Sequence, residues 1–294
     1  MDSVGTNREP FNQIAIVGLG LIGGSWGLAL KERGHAARRV GCDKPEVLGR
    51  ALAAGAVDEG SSDLRAALRD ADLVIVATPV GSILDLLPQL KSAASPRALV
   101  TDVGSTKRVI CQRAREIFGD EPLFLGGHPL AGKERSGIEN ASAALFDGAR
   151  YVLAPLLPDH LADPRVKAFS ALVEAVGAKP FVTEASTHDR AVAFLSHLPQ
   201  LVSSGLASMV AGQGAEDFLP LELAATGFRD VTRLAESPYN LWRDICLTNI
   251  ENIQAALDAL IDKLEAMKLH LSDRELERDF TQALKLREKL REIK

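Results

Sequence analysis

Cysteine is scarce in this 294-residue chain: Cys42, Cys111 and Cys246 stand far apart, and no C-x-x-C pair occurs. Such spacing suggests neither a disulfide framework nor a zinc site; no metal is expected, and a reducing, cytoplasmic compartment fits. No apolar run approaches the ~20 residues needed to span a bilayer. The opening segment Met1–Pro10 has no signal-peptide core and reads as a floppy tail. Positive charge is also short, since 34 Lys and Arg against 39 Asp and Glu leave a formal net charge of -5. That argues against a broad nucleic-acid surface, which needs excess Lys and Arg to neutralise phosphates. Internal repeats and low-complexity segments are absent, and no further regulatory domain is expected in the residues that remain. What is present is 46% hydrophobic and 25% charged residues, an ordinary globular composition with length for two domains of ~100–200 residues each.

The most informative stretch is Ile14–Val17, an apolar β-branched run that breaks into Gly18-Leu19-Gly20-Leu21-Ile22-Gly23-Gly24 and then a helical pattern through Leu30. This is the G-x-G-x-x-G grip of a dinucleotide site. The first glycine permits the tight turn, the second admits the pyrophosphate, and the third lets helix and strand pack closely, while the helix N-terminus offers unpaired N–H groups. A lone motif of this kind is weak, but Asp43 follows Gly23 by about the ~20 residues expected of a carboxylate that binds an adenosine ribose. That carboxylate accepts from a free 2′-hydroxyl and repels a 2′-phosphate, which favours NAD over NADP. Lys44 and the Arg38-Arg39 pair weigh the other way, because each could reach a phosphate.

Strands and helices then alternate: Val40–Cys42, a helix from Pro45 to Ala54, Leu73–Ala77 ended by Thr78-Pro79, a helix around Ser82–Leu90, Ala98–Thr101, a helix to Phe118 capped by Ser105 and Thr106, Leu123–Leu125, Tyr151–Ala154, a helix around Val166–Val176, and Pro180–Thr183. Alternation predicts an α/β Rossmann-type doubly wound parallel sheet, every strand pointing one way, over residues 11–185. Residues 186–294 read as an all-α helical domain. Ser186 or Thr187 caps a helix to about Ala211 that Pro199 should kink. Ile250, Ile253, Leu257, Leu260, Ile261 and Leu264 form an amphipathic stripe, and Ser272-Asp273-Arg274-Glu275 looks like a capping box for a last helix carrying Leu276, Phe280, Leu284 and Leu290. These stripes carry more apolar surface than a thin layer of helices can cover, so a homodimer through the helical domain is expected.

Two further clusters, Asp102-Val103-Gly104-Ser105-Thr106-Lys107 and Gly126-Gly127-His128-Pro129-Leu130-Ala131-Gly132, each follow a predicted strand. Ligands of open α/β sheets bind outside the carboxyl ends of strands, which places Ser105 and His128 at the nicotinamide end of the site. A neutral imidazole can take a hydroxyl proton as hydride leaves the same carbon. The plainer roles are a turn histidine for His128 and a helix N-cap for Ser105.

Taken together, these segments resemble the TyrA family, the prephenate and arogenate dehydrogenases of tyrosine biosynthesis. The similarity runs from the glycine loop through Gly127-His128-Pro129-Leu130-Ala131-Gly132 to Thr187-His188-Asp189-Arg190, Ser196-His197-Leu198-Pro199, Gly227-Phe228-Arg229-Asp230 and Leu241-Trp242-Arg243-Asp244-Ile245. It implies oxidative decarboxylation of a small cyclohexadienyl substrate to a phenol. It further implies that His128 accepts from the ring hydroxyl, that Ser105 orients that contact, and that Arg229 holds a substrate carboxylate, its fork matching the carboxylate bidentately. Without the resemblance, a surface salt bridge with Asp230 or Glu236 is the plainer role of Arg229. His197 is placed in the cleft, with core packing as its alternative. Gln200 stands where many relatives carry a second histidine, which leaves substrate preference and tyrosine feedback open, with a tilt towards prephenate. Glu134 belongs either to a polar gate or to a solvated loop. Trp242 packs the helical core. Gly18, Gly20, Leu21, Ile22, Gly23, Asp43, Thr78 and Pro79 are the expected cofactor residues. Two other classes stay open at this stage, a dehydrogenase for β-hydroxy acids or imines and a non-catalytic dinucleotide sensor. The former would want a helical-domain lysine near the nicotinamide, and Lys263 and Lys268 lie far along the chain from the other motifs. The latter would have no use for His128, His197 and Arg229 together.

Overall fold

The computed structural model describes residues 10–119, 121, 123–133, 135–212 and 221–292. An eight-stranded sheet is built from β1 (Gln13–Val17), β2 (Arg38–Cys42), β3 (Glu59–Ser61), β4 (Leu73–Val76), β5 (Leu99–Asp102), β6 (Leu123–Pro129), β7 (Arg150–Pro155) and β8 (Lys179–Val182), in the spatial order β3-β2-β1-β4-β5-β6-β7-β8. Between them run α1 (Leu21–Glu32), α2 (Pro45–Ala54), α3 (Leu64–Leu68), α4 (Val80–Ala93), α5 (Arg108–Phe118) and α6 (Pro164–Ala175). β1 to β6 are parallel, and the order reverses between β1 and β4, the switch point at which such sheets bind ligands.

One expectation is corrected. β7 pairs antiparallel with β6, and β8 runs parallel to β7, so the last two strands oppose the other six. The cause is the β6–β7 connection, which among its described residues has no crossover helix. It consists of two short 3-10 turns, Ile138–Asn140 and Ala143–Phe146, laid against α1. A parallel neighbour needs a crossover across the sheet, and without one the chain re-enters beside β6 from the end it left. β3 is absent from the sequence reading because three largely exposed residues carry no alternation.

Apolar side chains fill both faces of the sheet. On one, Trp26 of α1 is fully buried with its ring centroid 5.4 Å from Phe146, 5.7 Å from Tyr151 and 5.9 Å from Phe169. On the other, Val74 and Val76 of β4 meet Ile83 and Leu87 of α4 and Ile110 of α5.

The helical part comprises α7 (Ala185–Val192), a π turn at Ala193–His197, α8 (Leu198–Ala211), α9 (Thr226–Thr232), α10 (Tyr239–Thr248), α11 (Ile250–Leu269) and α12 (Glu275–Glu292). The disturbance expected at Pro199 takes the form of that π turn. A proline in the first turn of α8 has no N–H and crowds the carbonyl four residues back, so the ladder loosens just before it. α7 begins at Ala185 without a side-chain cap from Ser186 or Thr187, and at α12 it is Asp273, not Ser272, that accepts from the Glu275 amide, at 2.8 Å.

Two helices of the sheet are capped by carboxylates from the helical part. Asp189 of α7 accepts from the Lys107 and Arg108 amides at 2.7 and 2.9 Å, so it opens α5 in place of the expected Ser105 and Thr106. Asp244 of α10 accepts from the Gly81 amide of α4 at 3.0 Å. An anionic cap satisfies orphan amides and faces the positive end of the helix dipole. Both halves are thereby pinned together along the carboxyl edge of the sheet. On the outer side, Ile261 and Leu264 of α11 and Phe280, Leu284 and Leu290 of α12 are exposed, and α12 buries none of its residues within the protomer.

Candidate active site

The glycine loop has the stereochemistry a pyrophosphate grip requires. Gly18 sits at φ +90°, where a Cβ would also meet the Ala77 carbonyl at 2.7 Å, and a Cβ on Gly23 would collide with the Gly18 carbonyl. Gly20, by contrast, faces open space, the room through which a phosphate can approach backbone. Gly20 caps α1 without a side-chain bond, so the first amides of the helix, at Leu21, Ile22 and Gly23, lack an intrahelical partner. Across the switch point the Thr78 hydroxyl is buried with no hydrogen-bond partner, and Pro79 caps α4. Asp43, just past β2, accepts from the Leu19 and Lys44 amides, each at 2.7 Å, which aims its carboxylate at the loop. Two of the cations set against NAD are already engaged. Arg39 is buried on Asp58 and on the Gly27 and Gly55 carbonyls, and Arg38 pairs with Glu59. The residues present thus fit a dinucleotide with an unphosphorylated ribose.

Three strands along, His128 closes β6, half-buried. Its backbone is anchored from below by a fully buried ion pair, Asp102 with Lys107, whose carboxylate also accepts from the Gly104 amide at 2.8 Å and the Gly127 amide at 3.1 Å. Ser105 lies half-buried in the same β5–α5 loop. The His128 Nδ1 lies 2.8 Å from His188 Nε2, the rings meeting edge to face at 79°, and His188 Nδ1 lies 2.7 Å from Asp189 Oδ1. Burial holds the His128 imidazole well below its usual range, and charge from His188, Lys107 and His197 acts in the same direction. His128 is therefore an unprotonated acceptor at neutral pH.

His197 ends the π turn, 1% exposed, with its ring edge-on to Trp242 at 5.8 Å. The buried Asn249 amide nitrogen donates to the Asp189 carbonyl at 2.8 Å and to His197 Nδ1 at 3.2 Å, which leaves the His197 proton on Nε2. Burial pushes this imidazole down to about 4, opposed by Asp189 and aided by His188. The structure brings His128 and His197 together, and joins to them three residues to which sequence reasoning gave no role: Lys107, His188 and Asp189. Gln200 is 4% exposed and gives its amide nitrogen to the Leu234 carbonyl at 2.8 Å and the Ser204 hydroxyl at 3.2 Å. Arg229 lies apart on α9, exposed, its Nε donating to the Ala224 carbonyl at 3.0 Å. Glu134 lies outside the described residues. Among the described residues no group of three His, Cys, Asp or Glu side chains could hold a metal, and no helix is long and apolar enough to cross a membrane.

Two buried neutral histidines tie stability to pH. In the unfolded chain each protonates near pH ~6.5, whereas the folded site resists the proton, so the unfolded state binds more protons as pH falls and stability is lost. For His197, falling to about 4, the loss between pH 7 and pH 5 should be about 2 kcal/mol. Urea unfolding at the two pH values should show it, and His197→Asn should flatten the slope; an equal slope in that variant would contradict the assignment.

Comparison with known proteins joins the two halves. The family model described as the nucleotide-binding domain of prephenate dehydrogenase matches residues 26–182, and the one described as its dimerization domain matches residues 184–286. Prephenate dehydrogenase of Bacillus subtilis is 32% identical over 94% of this chain and 77% of its own. Cyclohexadienyl dehydrogenase of Zymomonas mobilis is 30% identical over 90% of each. Among solved structures, prephenate dehydrogenase from A. aeolicus in complex with hydroxyphenyl propionate and NAD+ aligns with a TM-score of 0.85 at 30% identity, covering 96% of this chain and 98% of that one. The arogenate dehydrogenase of Synechocystis aligns with a TM-score of 0.78 at 33% identity, over 95% and 99%. A 3-hydroxyisobutyrate dehydrogenase from Mycobacterium tuberculosis, at 18% identity, covers 86% of this chain and 87% of its own with a TM-score of 0.53, and shares the fold alone. With both family models matched in sequence and alignments that span nearly the whole chain, the chain belongs to the prephenate dehydrogenase family.

Proposed function

We propose that this enzyme carries out NAD-dependent oxidative decarboxylation of prephenate or arogenate in tyrosine biosynthesis, as a cytoplasmic homodimer whose sheet domain (residues 11–185) binds the dinucleotide and whose helical domain (186–294) binds substrate and its twin. The observation that carries this reading is His128, an unprotonated imidazole at the carboxyl end of β6, on the same sheet edge as the open glycine loop. Bound NAD would supply the acceptor for hydride from the hydroxyl-bearing ring carbon. His128 accepts the hydroxyl hydrogen as the C–H electron pair departs, and Ser105 orients the contact. The bond to the ring carboxylate then breaks, its electron pair completes the aromatic ring, and the hydrogen returns to the phenol oxygen, so no net proton is released. His197, with its proton on Nε2, is a further donor near enough for its charge to act on His128. Lys263, a candidate base for the β-hydroxy acid alternative, is spent on Asp279 at the protein surface. The exposed apolar residues of α11 and α12 support the dimer.

Purified protein with NAD should generate reduced-cofactor absorbance with prephenate, arogenate or both; silence with both substrates would refute the assignment. Arg229 is the proposed carboxylate clamp. Because its guanidinium is exposed before substrate arrives, Arg229→Ala should sit at the low end of the range for a lost charged partner, raising KM by about 2 kcal/mol, roughly 30-fold, with a smaller change in kcat. Lysine should restore part of this, since it keeps the charge and loses the fork. An unchanged KM in steady-state kinetics would remove Arg229 from the pocket.

A further inference from the structure

The chain His128–His188–Asp189 joins two elements, β6 and α7, and uses atoms in a fixed order. Asp189 receives three donors: the Lys107 amide on Oδ1, the Arg108 amide on Oδ2, and the His188 ring on Oδ1. A carboxylate at a helix N-terminus, with backbone amides that can only donate, is an acceptor at every contact. In its neutral form His188 therefore carries its proton on Nδ1, and its Nε2 presents a lone pair. That nitrogen is 2.8 Å from His128 Nδ1, so the hydrogen in this contact must come from His128.

We propose that His188 and Asp189 are positioning residues that lock His128 into the tautomer protonated on Nδ1, leaving Nε2 bare to accept the substrate hydroxyl. The proposal rests on the reading of His128 as that acceptor. A free imidazole favours the opposite tautomer, with its hydrogen on Nε2, which would point a donor at a hydroxyl that has to donate. The relay reverses this preference. It also places the Asp189 carboxylate two hydrogen bonds from the charge that develops when His128 Nε2 takes the hydroxyl hydrogen. His188 and Asp189 are 3% and 0% exposed, so their contact is shielded from exchange with water, and His128 is half-buried above them. Lys107 and His197, the other charged or titratable groups around His128, do not bond to its Nδ1. The geometry has a further consequence, because Asp189 is also the α5 cap. Aligning the base and docking the helical part onto the sheet are one contact, so the base is set only when the two halves are seated.

Histidine-labelled protein, observed by long-range proton–nitrogen NMR near pH 8, should show His128 with its hydrogen on Nδ1, the signal being assigned by its disappearance in His128→Asn. An Nε2–H pattern in the unmodified protein overturns the proposal, and this readout does not depend on any variant folding. His188→Leu should shift His128 towards Nε2–H and lower kcat by ~10- to 10⁴-fold, the upper figure being the cost of a wrong tautomer in a serine-protease triad, with KM for substrate and affinity for NAD held. His188→Gln, which keeps an acceptor for His128 and a donor for Asp189, should recover most of the loss. If His188→Leu is folded and turns over like wild type while His128→Asn is dead, the relay fails and the base assignment stands. If His128→Asn is itself active, the base assignment fails regardless of tautomer.

Discussion

His128→Asn should leave a folded protein that binds NAD as wild type does and turns over ~10²–10⁴-fold more slowly, the range for a lost general base. The separation of effects follows from the fold. The glycine loop hangs on β1 and α1, three strands along from β6 in the sheet, so the phosphate grip that holds the cofactor lies clear of the imidazole. Asparagine keeps a polar head near His188 but offers only an amide oxygen, whose basicity is far too low to take a hydroxyl hydrogen as hydride departs. Burial keeps the imidazole unprotonated below its usual range, so at neutral pH nearly every molecule of wild type holds a competent acceptor. Calorimetry with NAD and steady-state turnover together check the claim. Turnover like wild type would take His128 out of the mechanism.

The parts of this site that are legible in the sequence are those whose constraint is local. Gly18 is required by a positive φ and Gly23 by contact with a carbonyl five residues away, so the loop carries its own signature, and Asp43 falls at a spacing that one βαβ unit sets. His128 is visible because Pro129 and two glycines mark it as a strand end. The relay was hidden for the opposite reason. His188 and Asp189 act on partners 60 and about 80 positions away, and a His-Asp pair inside a short helix looks like any other polar turn. The one usable signal was an adjacent His-Asp in a segment that resembles the family without an assigned role. The same limit explains the α5 cap, where Ser105 and Thr106 stand at the right spacing and lose to a carboxylate arriving from another part of the chain. Alternating strands and helices reveal that strands exist, but direction depends on what the connection does. The 20 residues between β6 and β7 showed no helix, and that absence was the clue to reversal.

Lys107 is the residue whose importance runs most against its type, because lysine is almost never fully buried unless paired. Here both Lys107 and Asp102 are 0% exposed, and the carboxylate is shared among the ammonium and the Gly104 and Gly127 amides. Burying two charges costs several kcal/mol of hydration, so the pair adds little net stability. Removing one partner is another matter, since the remaining charge stays desolvated. Lys107→Met should therefore destabilise the protein by ~3–5 kcal/mol, a large share of the ~5–15 kcal/mol a domain has. Lys107→Met combined with Asp102→Asn should cost less than Lys107→Met alone, because the asparagine oxygen is neutral and still accepts an amide. Replacing Asp102 by leucine instead should recover less, since it orphans two buried amides at ~1–3 kcal/mol each. The order of the three in urea unfolding is the test, and a Lys107→Met protein within ~1 kcal/mol of wild type would show that the site tolerates a lone buried carboxylate. Where the variant survives, His128 should be the first casualty. Its neighbour Gly127 is held by the same carboxylate, and an imidazole displaced at the strand end no longer meets His188.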